Sequence, residues 1–158
     1  MKKHSCGAIL FTIYKNQIYI ILGMEKGQWF PFKGTNNNGE SNIQTAIREI
    51  YEETYGVVKL QHIDLKCNFS TKRKHYHIGL VQIPYHQIEK FYRNRSLLLK
   101  YKNFSNKYSM FLEKTEIKLF PLHNVFNNNF HEVTKIPIKY FYNHLSCIEF
   151  KLKKLNYL

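Results

Sequence analysis

The chain has 158 residues, about the size of one domain, and 44% hydrophobic residues, enough for one substantial core. The net charge of +13 suggests a polyanionic partner. Part of it reflects the codon bias of an AT-rich genome, because Asn, Lys, Ile, Tyr and Phe abound while arginine is confined to Arg48, Arg73, Arg93 and Arg95. No run approaches the roughly 20 apolar residues of a membrane span, so one soluble cytoplasmic domain over 1–158 is expected, with no membrane partner.

Residues 5 to 14 and 17 to 23 are rich in β-branched and aromatic side chains and are separated by Lys15-Asn16, which predicts a hairpin. From Lys26 to Gly34 the proline at 31 and the glycines predict a loop. Ser41 followed by Gln44 is a capping box, and Gly56 provides a stop, so a helix is predicted from Ser41 to Thr54. A second strand pair is expected at His62 to Ser70 and Lys74 to Pro84. Residues 86 to 112 read as a variable insertion in which Leu97-Leu98-Leu99 forms a short buried helical segment. Glu116 to Leu122 reads as a strand ended by Pro121. Phe141, Leu145, Ile148 and Leu152 give Ile138 to Leu155 the spacing of an amphipathic helix.

Cys6, Cys67 and Cys147 are odd in number and far apart, which predicts buried thiols rather than a zinc site, a dithiol or a nucleophile paired with His4.

The predicted helix carries the chemistry. Of eleven acidic residues in the chain, Glu40, Glu49, Glu52 and Glu53 fall within fourteen positions. At 100° per residue Ile43, Ala46, Ile47, Ile50 and Thr54 share one face, and Glu49, Glu52 and Glu53 gather on another. Carboxylates at this spacing repel one another unless cations compensate them. Mg²⁺ or Mn²⁺ binding is one reading of that face. A solvated face whose glutamates pair with lysines is the other.

The residues around the helix resemble the Nudix signature. Gly34 is followed after five residues by Glu40, then after seven by Arg48-Glu49-Ile50-Tyr51-Glu52-Glu53-Thr54. Every position through Glu53 matches. Gly56 comes one residue late, as though Tyr55 were inserted.

This resemblance implies an α/β fold, an α/β/α sandwich with a mixed β-sheet, and a hydrolase of diphosphate linkages that uses Mg²⁺ or Mn²⁺. It implies metal ligation by Glu49, Glu52 and Glu53, orientation of loop and helix by Glu40 and Arg48, and a close backbone turn at Gly34. The general base is left open among Glu52, Glu53 and Glu116. The stretches Trp29 to Gly34 and Ala46 to Thr54 resemble mRNA-decapping Nudix enzymes of eukaryotes and viruses, which implies capped RNA as substrate.

Lys33, Lys72, Arg73 and Lys74 are the candidate phosphate contacts. Lys90, Arg93, Arg95, Lys100, Lys102 and Lys107, interleaved with Phe91, Tyr92, Tyr101 and Phe104, are a candidate RNA track. Trp29 reads either as a cap-stacking ring or as a structural one. Small polyphosphates, diadenosine or diphosphoinositol, are the alternative substrates. A non-catalytic Nudix-fold RNA-binding module is an alternative of another class.

Overall fold

The first strand, β1 (Ser5–Tyr14), is buried along nearly its whole length because it has a neighbour on each edge and a layer on each face. That explains a sequence that is almost continuously apolar instead of alternating. The computed structural model describes residues 5–61, 76–102, 106–127, 130, 134–135 and 138–139. The strand expected at His62 to Ser70 and nearly all of the expected C-terminal helix lie outside them.

β1 turns into β2 (Gln17–Glu25) through Lys15 and Asn16, both at positive φ (47° and 58°), the two-residue geometry whose twist matches an antiparallel pair. Lys26 and Gly27 repeat the device between β2 and β3 (Gln28–Phe30). The segment expected to be a loop is therefore two short strands, β3 and β4 (Phe32–Thr35), interrupted only at Pro31. β3 pairs with the end of β2 and β4 with the start of β1. Pro31, which has no amide hydrogen, sits where the ribbon changes partner.

β5 (Tyr76–Gln82) runs parallel to β1 along the opposite edge from β4, and β6 (Glu116–Pro121) pairs antiparallel with β2. Among the described residues the result is a six-stranded mixed sheet. Cys6, Ala8 and Leu10 face the helix layer, where Ala46 and Ile50 of α1 (Asn42–Glu53) and Ile88 and Phe91 of α2 (Ile88–Lys102) cover them. Ile9 and Phe11 face the other way, against Leu122 and Val125 of a short helical turn (Leu122–Asn127), with Phe130 and Ile138. The fold class is α/β with a mixed sheet between two layers.

α2 is longer than the expected apolar segment, and the expected burial is reversed in part: Leu97 and Leu99 are exposed, and Leu98 is only partly buried. The contact with the core is made instead by Ile88 and Phe91, three residues apart on one face. Phe91 is thus a core residue and not a stacking platform, whereas Tyr92 and Tyr101 are exposed. Trp29 packs edge-on against Phe120 with ring centroids 5.1 Å apart, and its carbonyl accepts from Thr134 Oγ1 at 2.6 Å. Its ring is committed to the second core. Among the described residues no helix is long and apolar enough to cross a membrane.

Candidate active site

β4 is held against β1 in a register that sets Gly34 opposite Cys6 and Lys33 opposite Gly7. α1 then crosses directly over Gly34. A Cβ built on Gly34 would fall inside the carboxyl group of Glu49. The glycine is required by this close approach. It lies within a strand, not at the turn expected from its place in the signature.

The helix starts as its sequence predicts. Ser41 Oγ accepts from Gln44 N at 3.2 Å and Gln44 Oε1 accepts from Ser41 N at 2.9 Å. Its inner face differs from the expected division, because Thr45, Ala46, Glu49, Ile50 and Glu53 are the buried set. Two of the three carboxylates therefore lie on the packed side. Glu52 keeps part of its carboxyl in solvent, its side chain being 19% exposed.

Arg48 organises the mouth of the site. Its Nε and Nη2 grip Glu40 Oε1 and Oε2 at 2.8 and 3.0 Å, and Nη2 also donates to the Thr35 carbonyl at 3.1 Å. Its Nη1 donates to Glu49 Oε1 at 2.8 Å and to Glu52 Oε2 at 3.2 Å. Glu40 accepts further from Asn37 N and Thr45 Oγ1. The Arg48 hydrogen bonds, with those of Asn37 and Thr45, hold the Glu40 carboxyl down at about 2. Burial raises Glu49 above the ordinary carboxylate value, with Arg48 opposing it.

Glu53 is 2% exposed and has two fixed partners. Oε2 accepts from the Lys33 amide at 2.7 Å, and Oε1 meets Lys114 Nζ at 2.7 Å. Burial pushes its carboxyl up to about 7, and Lys114 limits the rise. Lys114, 1% exposed along its side chain, also reaches Glu25 Oε2 at 2.9 Å. Burial disfavours its charge, but Glu53 and Glu25 outweigh that and raise it. Lys33 is lowered by burial and by the neighbouring Lys114, and its ammonium lies 5.9 Å from the Phe30 ring centroid.

The helix exit keeps the signature's register. Thr54 caps α1, Tyr55 N bonds Glu52 O at 3.1 Å, and Gly56 N bonds Tyr51 O at 2.8 Å, the paired bonds of a left-handed helix stop. Tyr55, at φ 59°, takes the left-handed place of the signature glycine. It is a replacement in place and not an insertion. Its buried hydroxyl donates to the Lys114 carbonyl at 2.7 Å.

Glu40, Arg48, Glu49, Glu52, Glu53, Gly34 and Lys33 are thus brought together. Glu116 is exposed on β6 opposite Met24, and it is Glu113, three residues before it and outside the strand, whose charge acts on Glu49. Lys72, Arg73 and Lys74 lie outside the described residues. Cys6 is buried under α1, its thiol pushed up to about 11 by burial and by Glu49 and Glu40, which suits a packed thiol and not a nucleophile. Lys114, Glu25 and Glu113 are additions that no local pattern announces. Tyr55 was marked in the sequence by its departure from the signature.

No family model matches the sequence, and no curated protein matches it. Solved structures do match in fold. The chain is similar to a mutT/nudix family protein from Listeria innocua (TM-score 0.63, 18% identity, 96% of each chain covered). It is similar to an Ap4A hydrolase of C. elegans in a binary complex (TM-score 0.58, 16% identity, 90% of this chain and 98% of that one). A third is the NUDIX domain of Shewanella oneidensis NrtR complexed with ADP ribose (TM-score 0.55, 19% identity, 89% and 86%). At these identities the likeness establishes the fold, which is the Nudix fold.

Proposed function

We propose that this Nudix-fold chain is a divalent-metal-dependent hydrolase of diphosphate linkages in nucleotides. The observation that carries the reading is the meeting of Glu49 Oε1 and Glu52 Oε2 on a single cationic nitrogen, Arg48 Nη1. Two carboxylate oxygens from one helix face already converge on one positive charge.

The donor set fits a hard divalent ion. Among the described residues no three acidic, imidazole or thiol groups converge as a complete cage. Mg²⁺ is commonly held by one or two carboxylates, with water and substrate phosphates filling the rest of its shell. Glu49 and Glu52 would hold it. When bound, Mg²⁺ or Mn²⁺ neutralises diphosphate oxygens and lowers the pKa of a coordinated water.

The chain's own residues supply the remainder. Arg48 stays anchored by Glu40 through Nε and Nη2 when Nη1 yields the two carboxylates. Lys33, on β4 beside Gly34, brings positive charge toward the phosphates. For proton acceptance Glu52 has the solvent access, because both oxygens of Glu53 are engaged by Lys33 N and Lys114. Burial of Glu49 and Glu53 keeps the floor of the site dry, which strengthens every charge interaction in it.

The substrate class proposed first is a small nucleotide with a diphosphate bridge. Two of the fold neighbours are an Ap4A hydrolase and a NUDIX domain complexed with ADP ribose. Capped RNA is a second reading, favoured by the outer face of α2, where Lys90, Arg93 and Lys100 are exposed together with Tyr92 (54%) and Tyr101 (56%).

The test is hydrolysis of diadenosine tetraphosphate, ADP-ribose, diphosphoinositol phosphates, nucleoside triphosphates and cap-labelled RNA with Mg²⁺ or Mn²⁺. Release of phosphorylated products that stops on chelation and in E52Q is expected. If none of these substrates is cleaved, the enzymatic reading is overturned. Cleavage of capped RNA that improves with RNA length at low salt selects the second substrate.

A further inference from the structure

A lysine this deeply buried is unusual, because its charge must be balanced. Lys114 satisfies that demand within the candidate site. Its ammonium lies between Glu53 Oε1 and Glu25 Oε2, at 2.7 and 2.9 Å, and 5.7 Å from the centroid of the Phe30 ring. Its methylene stem runs over Gly23, where a Cβ would come within 2.8 Å of Cγ and Cδ.

The backbone is fixed as firmly. The Lys114 carbonyl accepts from Tyr55 Oη at 2.7 Å, Thr115 N donates to Met24 O at 2.8 Å, and Tyr55's own carbonyl accepts from Asn94 Nδ2 at 3.0 Å. The side chain that replaces the signature glycine is therefore the one that clamps Lys114.

We propose that Lys114 is a built-in cation that occupies the ion-binding oxygen of Glu53, leaving the Glu49–Glu52 pair as the divalent-ion site. A divalent ion approaching Glu53 Oε1 must displace a 2.7 Å ammonium contact and work against a fixed positive charge. The other oxygen of Glu53 is held by the Lys33 amide, so the carboxylate cannot swing away to offer another lone pair freely. Lys114 thus acts through Glu53 as a positioning residue. It fixes the carboxylate that lies next to the ion pair on α1 and sets how many ions the site takes. The inference rests on the reading of Glu49 and Glu52 as the divalent-ion pair.

The experiment counts bound Mn²⁺ per chain from the free-ion electron paramagnetic resonance signal, without substrate. K114M is expected to bind one Mn²⁺ more than wild type, and K114M/E53Q to return to the wild-type count. E53Q alone is expected to keep the wild-type count. Equal counts in wild type and K114M overturn the inference, and so does loss of an ion in E53Q. K114M leaves the buried Glu53 carboxylate with the Lys33 amide but no countercharge and is at risk of misfolding. E53Q and the charge-neutral K114M/E53Q then decide between the same two results, since loss of an ion in either shows that Glu53 is a ligand in the wild type. Whether wild type binds any Mn²⁺ tests the function proposed above, while the differences between variants test the role of Lys114.

Discussion

Gly34 and Glu49, fifteen positions apart, occupy one volume: the carboxyl group of Glu49 fills the space where a β-carbon on Gly34 would stand. Substituting G34A must push that carboxylate, or the whole of α1, away from β4. The strand itself tolerates alanine, so the expected result is a folded protein with hydrolysis reduced by about 10²-fold, as for an ångström-scale misplacement of a reacting group. Circular dichroism and steady-state rates on the same preparation check this; wild-type rates in G34A would show that Glu49 need not lie there.

Arg48 serves four acceptor groups at once, Glu40, Thr35 O, Glu49 and Glu52, through Nε, Nη1 and Nη2. A lysine keeps the charge but not the fork. R48K is expected to lose about 1–3 kcal/mol of unfolding free energy, because Glu40, Thr35 O and the Glu49–Glu52 pair no longer share one donor. Urea denaturation measures it. Recovery of wild-type stability in R48K would mean that charge alone suffices.

Glu40 gives the site an acid limit. Its carboxyl is held at about 2 in the folded chain against an ordinary 4.5, so the unfolded chain binds the proton more readily. The stabilisation is complete above 4.5 and disappears as pH falls toward 2. Calorimetric Tm values are expected to fall across that interval in wild type and to fall less steeply in E40Q, which starts lower at neutral pH. Parallel Tm profiles for the two proteins would remove Glu40 from the acid transition.

Tyr55 pairs a strained backbone with a buried hydrogen bond. Y55F keeps the ring and leaves the Lys114 carbonyl without its donor, at an expected cost of about 1–3 kcal/mol. Y55G relieves a left-handed conformation worth on the order of 1–2 kcal/mol but opens a cavity that costs about 3–5 kcal/mol. Both variants are expected to be less stable than wild type by chemical denaturation, with Y55G the lower. A Y55G protein more stable than wild type would contradict this account of the helix exit.

What could be read from the sequence was local. The Ser41–Gln44 box, the Lys15-Asn16 turn and β6 ending at Pro121 depend on residues within a few positions of one another, and each formed where its pattern placed it. The β3–β4 ribbon was not legible, because each of its strands exists only through a partner elsewhere, β2 for one and β1 for the other. Leu97-Leu98-Leu99 misled because an apolar run on a helix is buried only where the helix meets the sheet, and Ile88 and Phe91 make that contact instead.

The same division runs through the candidate site. The spacing of Glu40, Arg48, Glu49, Glu52 and Glu53 is a property of one loop and one helix, whose period fixes which side chains share a face whatever surrounds it. Gly34 reached the site through strand register with β1, and Lys114 through contacts with Glu53 and Glu25 that span 61 and 89 positions. Helix periodicity cannot say which side of an acidic cluster will be covered. Only packing α1 across β4 decided that Glu49 and Glu53 are buried and that a lysine from a distant segment neutralises one of them.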